Sequence, residues 1–113
     1  KRLLSRGKTC AICGGNFQEN LLVAAHIKKR SECTDKEKGD LNNIAMLACK
    51  LGCDALYEFG YLIVDESGMI LPTKKLLSES NNKALSLGRI NRKCTAHTKQ
   101  TEKYFSWHRK RFE

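Results

Sequence analysis

Hydrophobic residues lie along this chain in short runs separated by charged stretches, and the runs predict small strands. Leu-Leu-Val-Ala-Ala-His at 21–26 and Asn-Ile-Ala-Met-Leu-Ala at 43–48 are both short and apolar. We therefore predict two strands that can pair as a hairpin with a long loop. The loop, residues 27–42, contains many charges and Gly39, so we expect it to be solvated.

After residue 50 the hydrophobic pattern becomes helical. Leu56 and Phe59 share one predicted face with Leu51 or Ala55, and Gly60 is a plausible stop for this helix. The order of elements predicts an α+β fold, and because no repeat or low-complexity linker interrupts residues 1–113, we expect a single domain. The remaining predicted elements are strands at 61–64 and 69–71 joined by a turn at 66–68, a helix from 74 to 87, and a last helix from 100 to 111.

The composition of the chain indicates what kind of partner it binds. The chain has 113 residues, a formal net charge of +9 and 41% hydrophobic residues, which suits one modest core. Such a basic balance indicates a polyanionic partner, most simply nucleic acid, with an anionic membrane surface as the alternative. No apolar stretch approaches the roughly 20 residues that span a bilayer, and no secretory signal is visible. We therefore expect a cytoplasmic protein without a membrane segment.

Six cysteines supply the strongest chemical signal. Cys10 and Cys13 form a close pair followed by two glycines, and Cys49 and Cys53 form a second close pair. Two such pairs offer the four sulfurs of a tetrahedral structural zinc site. Ordinary buried thiols and disulfides are the alternatives. Two cysteines remain unassigned, namely Cys33 and Cys94, although Cys94-Thr-Ala-His97 has the form of half a metal site.

The order strand, loop, strand, helix, together with the cysteine pairs, resembles the HNH nuclease family, also called ββα-metal or His-Me finger nucleases. The resemblance covers roughly residues 8–112 and is closest to zinc-containing, restriction-type members. The stretches that carry it are Ala25-His26-Ile27, Asn43, Cys53-Asp54-Ala55-Leu56-Tyr57-Glu58, Gly60 followed by Tyr61-Leu-Ile-Val64, Ser67-Gly68, and Tyr104-Phe105-Ser106-Trp107-His108-Arg109-Lys110-Arg111-Phe112.

The resemblance implies a role for each matching residue. His26 would be the general base that takes a proton from water, and Asn43 would hold the histidine loop in place. Asp54 would bind one catalytic Mg²⁺ or Mn²⁺, which acts on the scissile phosphate as a Lewis acid. The implied function is a metal-dependent DNA endonuclease. It would be the cleavage domain of a restriction enzyme that acts on double-stranded DNA, with a recognition domain elsewhere on a longer chain.

Three positions depart from the family pattern or leave a choice open. Many relatives carry Asp or His just before the catalytic histidine, whereas this chain has Ala25, which cannot bind a metal ion. Glu58, one turn after Asp54, is a candidate for the missing ligand, and Asp40 is another. Asn42 adjoins Asn43 and competes for its role; Asn43 better matches the usual distance to the following cysteine.

Basic residues lie on both sides of the implied site. Lys28, Lys29 and Arg30 follow the histidine directly, while Arg109 and Arg111 belong to the last helix. We predict that these side chains contact the DNA backbone. A cut in both strands would require a homodimer, because the motif provides one active site per chain. The alternative function is a catalytically weak or inactive zinc-stabilised nucleic-acid-binding module, and an interaction domain with incidental basic charge is a third, weaker hypothesis.

Overall fold

Two small antiparallel sheets and five α-helices form the described part of the chain, which confirms the α+β class. The structure is a computed structural model that describes residues 7–78, 80 and 82–112. In chain order the elements are β1 (Leu22–His26), α1 (Asp35–Lys38), β2 (Ala45–Cys49), α2 (Cys53–Glu58), β3 (Leu62–Val64), β4 (Ile70–Pro72), α3 (Lys74–Leu77), α4 (Asn82–Ser86) and α5 (Glu102–Phe112), with 3-10 turns at Glu19–Leu21 and Arg30–Glu32.

The predicted strand pair is present and places the histidine at its end. β1 and β2 are antiparallel, with a register that runs from Leu22 opposite Cys49 to His26 opposite Ala45. Ala25 is buried against the core, as expected for an apolar residue on the inner face of a two-sided strand. His26 is the last residue of β1 and therefore lies where the strand meets the connecting segment.

The connecting segment is solvent-exposed for most of its length, but it contains the short helix α1 that the charge pattern did not predict. Thr34 begins this helix with a capping box: its hydroxyl accepts a hydrogen bond from Glu37 N at 3.1 Å. The Glu37 carboxylate in turn accepts one from Thr34 N at 2.8 Å. Thr-x-x-Glu is a known helix-start pattern, so the signal was present in the sequence.

Helix α2 follows the second cysteine pair directly and ends before Gly60, as predicted. Its buried residues are Cys53, Leu56 and Tyr57, whereas Phe59, which was predicted to share the buried face, is 54% exposed. Phe59 caps the helix with non-helical backbone angles, so the helical periodicity no longer determines where its side chain points. Tyr57 takes the place in the core that we expected Phe59 to occupy.

The predicted helix from 74 to 87 is instead two short helices, α3 and α4. At the boundary the Ser78 hydroxyl donates to the Lys75 carbonyl at 2.9 Å. The Asn82 amide donates to the Leu77 carbonyl at 3.3 Å. Serine and asparagine side chains that bond to nearby backbone compete with helical hydrogen bonds, which explains why one helix does not continue through this segment.

The last helix, α5, completes the core against α2 and β3. Tyr104 and Phe105 are buried on it, and the Phe105 ring meets the Tyr57 ring edge-on at a centroid distance of 6.2 Å. Such an arrangement is favourable for aromatic pairs. Among the described residues, none of the helices combines the length and the apolar character needed to cross a membrane.

Candidate functional site

The two cysteine pairs come together in space. The Sγ atoms of Cys10, Cys13, Cys49 and Cys53 all lie within 4.8 Å of one another. A tetrahedral ion with Zn–S bonds of about 2.3 Å needs sulfurs roughly 3.8 Å apart, so this spacing suits one ion after a small contraction. All six cysteines are free thiols, which excludes the disulfide alternative in this structure. The cluster could hold a metal ion, and an all-sulfur donor set favours a soft or borderline ion over Mg²⁺.

Tight backbone turns bring the four thiols together. In the first pair Gly14 N donates to the Cys10 carbonyl at 3.0 Å, and Gly14 has a φ of +76°, which glycine adopts without strain. In the second pair Cys49 ends β2 and Cys53 begins α2, with Gly52 at a φ of +131° between them. Cys49 N also donates to Cys10 Sγ at 3.3 Å, which ties the two pairs to each other.

Hydrogen bonds and burial shift the thiol pKa values of this cluster in opposite directions. The hydrogen bond from Cys53 lowers the pKa of the Cys10 thiol to about 4, and the same bond, together with burial, raises the pKa of Cys53. Arg89, which the sequence did not single out, donates from Nε to Cys53 Sγ at 3.2 Å. Burial would lower the pKa of Arg89, but the hydrogen bond to Cys53 and the thiolate charge raise it. Metal binding requires deprotonated sulfur. The pKa of Cys10 already favours the thiolate, whereas Cys53, and Cys13, whose pKa burial raises, would release their protons when an ion binds.

A cleft of about 640 Å³ opens at the end of β1 and contains the residues of the implied active site. His26, Asp54 and Glu58 all line it, and they come from β1 and α2. Asp54 lies in the first turn of α2, one residue after Cys53. The position of its carboxylate is therefore tied directly to the cysteine cluster. Residues predicted from two separate motifs, the histidine motif and the Cys53–Glu58 motif, thus share one cavity.

The environment of His26 keeps its imidazole neutral near pH 7. Burial lowers the pKa of His26, and the positive charge of Arg30 lowers it further. The Nδ1 atom is buried and, within the described part of the chain, has no hydrogen-bond partner. A neutral imidazole with an unpaired nitrogen has the protonation state that a general base requires.

The two carboxylates of the cleft repel each other. Burial raises the pKa of Asp54, and the charge of Glu58, one turn further along α2, raises it again. A divalent cation would relieve this repulsion. His26, Asp54 and Glu58 are not, however, close enough together to form a ready-made metal site. Over residues 7–78, 80 and 82–112, the four cysteines are the only group of three or more His, Cys, Asp or Glu side chains that could hold an ion as they stand.

Asn43 does not line the cleft that contains His26. It belongs to the turn before β2 rather than to the strand, and its side-chain amide donates to Asp40 Oδ1 at 2.9 Å. It lines two other surface clefts and not the one around His26. Asp40 also accepts a hydrogen bond from the Tyr104 hydroxyl at 2.6 Å, so both of its oxygens are in use. Asp40 is likewise absent from the cleft of His26.

The five predicted DNA contacts divide into two groups. Lys28 forms an ion pair with Glu37 at 2.9 Å, and Arg109 forms one with Glu102 at 2.6 Å and also donates to the Val64 carbonyl. The side chains of both cations are only 14% exposed. Lys29, Arg30 and Arg111, by contrast, line the cleft that contains His26.

Two buried residues that the sequence left without a role connect the last helix to this cleft. Tyr57 donates from its hydroxyl to the Ile27 carbonyl, next to His26, at 2.8 Å. His108 stacks on the Tyr57 ring at 3.6 Å, and its Nε2–H donates to the Tyr57 carbonyl at 2.6 Å. Burial lowers the pKa of His108 to about 4. His108, from the aromatic tail motif, thus packs on Tyr57 and forms part of the cleft wall with it.

The unassigned thiols do not form a second metal site in the described residues. Cys94 is fully buried, and burial raises its pKa to about 11. The His97 ring bonds to Glu102 at 2.9 Å rather than to a further ligand set. Cys33 is partly exposed in the segment between the strands and directs its Sγ towards the Lys29 carbonyl at 3.4 Å.

Comparison with known proteins assigns no family to the chain, because no family model matches it and no curated protein matches it significantly.

Proposed function

We propose that this chain is the cleavage domain of a metal-dependent DNA endonuclease of the HNH type. The observation that carries the proposal is that His26, Asp54 and Glu58 line one cleft that also contains basic side chains. Along the chain, Asp54 and Glu58 follow His26 by 28 and 32 residues. The strand–strand–helix arrangement of β1, β2 and α2 also agrees with the ββα-metal motif. The cysteine cluster, which we propose to be a structural zinc site, supports the start of α2.

The chemistry follows from the protonation states in the cleft. A bound Mg²⁺ or Mn²⁺ would supply charge stabilisation at the phosphate and at the leaving oxygen. His26, held neutral by burial and by Arg30, would accept the proton of the attacking water. Asp54, with Glu58 beside it, would hold the ion. With Ala25 in place of a further ligand, water and phosphate oxygens would complete the coordination shell, which suits Mg²⁺.

The expected substrate is double-stranded DNA. Lys29, Arg30 and Arg111 line the cleft and would neutralise backbone phosphates on either side of the reacting group. Lys28 and Arg109 are left out of this proposed interface because their cations are already paired inside the fold. A restriction-type role, a recognition domain on a longer chain, a cytoplasmic location and a homodimer for cutting both strands remain parts of the same proposal.

Plasmid nicking tests the function. Purified protein is incubated with supercoiled plasmid in Mg²⁺ or Mn²⁺, alongside His26→Ala and, as a control, His97→Gln, whose side chain lies outside the cleft. We expect nicking by the unmodified chain and by His97→Gln, and none by His26→Ala. Binding of DNA without nicking, in every metal and with plain, methylated and hydroxymethylated DNA, would reject the nuclease.

A zinc-stabilised nucleic-acid-binding module is the second candidate, and one observation favours it. His26 Nδ1 has no hydrogen-bond partner among the described residues, so no neighbouring group orients the imidazole through this nitrogen. This candidate predicts salt-dependent DNA binding that is weakened in Arg30→Gln and Arg111→Gln but unaffected by Asp54→Asn. The nuclease predicts in addition that Asp54→Asn stops nicking while DNA remains bound.

A further inference from the structure

Two arginines from one short segment reach the two halves of the cysteine cluster. Arg89 lies against the second half: its Nε donates to Cys53 Sγ at 3.2 Å and its Nη2 donates to the Leu51 carbonyl at 2.8 Å. Its Nη1 donates to the Leu85 carbonyl at 3.1 Å, which fixes the orientation of the planar group. All three nitrogens of one guanidinium are therefore engaged, and one of them is bonded to a sulfur.

Arg92 lies against the first half. A Cβ added to Gly14, the residue after Cys13, would collide with Arg92 Nη2, so the guanidinium packs directly on the backbone of that turn. Gly52, between the second pair, has the same relation to Arg89, with a Cβ-to-Nη2 distance of 2.7 Å. Both glycines thus leave room for an arginine as well as for a tight turn.

The Nε atom of Arg92 adds an independent observation. It is buried and has no hydrogen-bond partner among the described residues. Burying a cationic N–H without an acceptor is costly unless negative charge lies close by. Arg92 packs on Gly14, which directly follows Cys13, so the cysteine cluster is the group next to it along the chain that could supply negative charge.

The backbone between the two arginines is anchored and does not simply lie on the surface. Asn91 N donates to the Ile70 carbonyl at 2.8 Å, and Ile70 N donates to the Arg92 carbonyl at 2.9 Å. Asn91 has a φ of +59°, a left-handed conformation that asparagine tolerates better than most residues. These bonds to β4 hold the segment from which Arg89 reaches Cys53 and Arg92 reaches Gly14.

We propose that Arg89 and Arg92 are part of the metal centre and balance its charge. Four thiolates around one divalent ion carry two net negative charges, and two guanidinium groups cancel them. Partly buried charge is stabilised when it is paired and hydrogen-bonded, and groups outside the ligand shell commonly tune metal affinity. The arginines therefore hold the metal by lowering the free energy of the charged, metal-loaded cluster. This inference rests on the zinc part of the proposed function but not on DNA cleavage.

Metal release measures this role directly. The metal-loaded chain is mixed with an excess of a coloured zinc chelator, and the release rate and apparent zinc affinity are compared among variants. We expect Arg89→Gln to weaken zinc affinity about tenfold and Arg89→Lys, which keeps the charge but loses the forked bonds, to fall between it and the unmodified chain. Arg92→Gln should also weaken it. Lys83→Gln, which removes an exposed cation from α4, is the matched control and should change nothing.

The outcomes distinguish three claims: the role of the arginines, the presence of a metal centre, and DNA cleavage. Equal zinc affinities and release rates in Arg89→Lys, Arg92→Gln and Lys83→Gln would overturn the arginine role, even if Arg89→Gln failed to fold. Absence of metal from the purified unmodified chain, after refolding with Zn²⁺, would instead overturn the metal centre itself. Neither result depends on whether plasmid is nicked, so failure of the nuclease proposal would remain distinguishable.

Discussion

The cysteine cluster and the His26 cleft are neighbours, because the consecutive residues Cys53 and Asp54 belong to one each. The two regions nevertheless differ in how their side chains interact. Cys53 is fully buried, and its sulfur lies within 4.8 Å of three others. Asp54, the next residue, is half-buried beside a like charge and shares an open cleft with His26. One region is assembled by the fold alone, whereas the other brings together groups that repel each other or lack a partner.

The two regions also differ in how their surroundings act on charge. In the cluster, every sulfur lies next to another possible ligand, and hydrogen bonds from the Cys49 backbone and from Arg89 reach two of the sulfurs. In the cleft, burial and neighbouring charges shift His26 and Asp54 towards their neutral forms, which costs stability whenever they are charged. Perturbed titratable groups in a cleft are typical of functional sites, and such sites commonly reduce stability.

The largest expected effect comes from removing a thiol of the cluster. Cys49→Ser should abolish cooperative folding, because the free energy of metal binding is also folding free energy and can exceed the about 5–15 kcal/mol by which domains are stable. Circular dichroism during heating, combined with metal analysis, checks this. Cys33→Ser, a change to a partly exposed thiol outside the cluster, should shift stability by less than about 1 kcal/mol. Equal melting temperatures for the two variants would contradict a structural metal site.

The next effect should separate activity from stability. Asp54→Asn removes a carboxylate that would hold the catalytic ion, which is expected to cost several kcal/mol of transition-state stabilisation and thus at least about a hundredfold in nicking rate. Its melting temperature should stay the same or rise, because burial and Glu58 disfavour the charged Asp54. Asp35→Asn, also in the first turn of a helix but exposed, is the control. A parallel loss of folding would show that Asp54 is structural.

His108 should make stability depend on pH. Its pKa in the folded chain is about 4, below the ordinary value of 6.5, so the unfolded chain binds more protons between these two pH values. The free energy of unfolding should therefore fall as the pH drops from about 6.5 to 4, by on the order of 3 kcal/mol from this group. Urea titrations of the unmodified chain and of His108→Gln across this window measure the difference. Identical slopes against pH would refute the assignment to His108.

The smallest effect concerns how the nicking rate depends on pH. The rate should fall at low pH as His26 becomes protonated, and this fall is the acid limb of the curve. The charge of Arg30 lowers the pKa of His26, so Arg30→Gln should raise that pKa and shift the acid limb to higher pH. The shift is read from the maximal rate at saturating DNA, which removes the loss of a phosphate contact from the comparison. Lys29→Gln, which lines the same cleft, should weaken binding without moving the limb. An unmoved limb in both variants would exclude His26 as the titrating base.

Local patterns predicted the features that depend on neighbouring residues. The two cysteine spacings placed all four thiols, because a tight turn needs only a few residues to define it. Asp54 was placed at the start of a helix for the same reason. The Thr34-x-x-Glu37 capping box is equally local, and it shows that the segment between the strands contained a readable helix start.

Features that depend on distant partners were not predictable in this way. Lys28 and Arg109 look like their basic neighbours in the sequence, and only the fold shows that Glu37 and Glu102 already pair with them. Asn43 was predicted to begin the second strand, whereas it lies in the turn before β2. The role of Arg89 depends on a sulfur 36 residues earlier.

The contact from Tyr57 to Ile27 has a consequence for the order in which the chain can be built. Tyr57 is covered by His108, so the wall behind His26 is complete only after α5 has docked. During synthesis the strands, the cysteine cluster and α2 leave the ribosome before this helix does. A nascent chain therefore passes through a stage in which all four cysteines of the cluster have been made while the wall of the cleft still lacks α5.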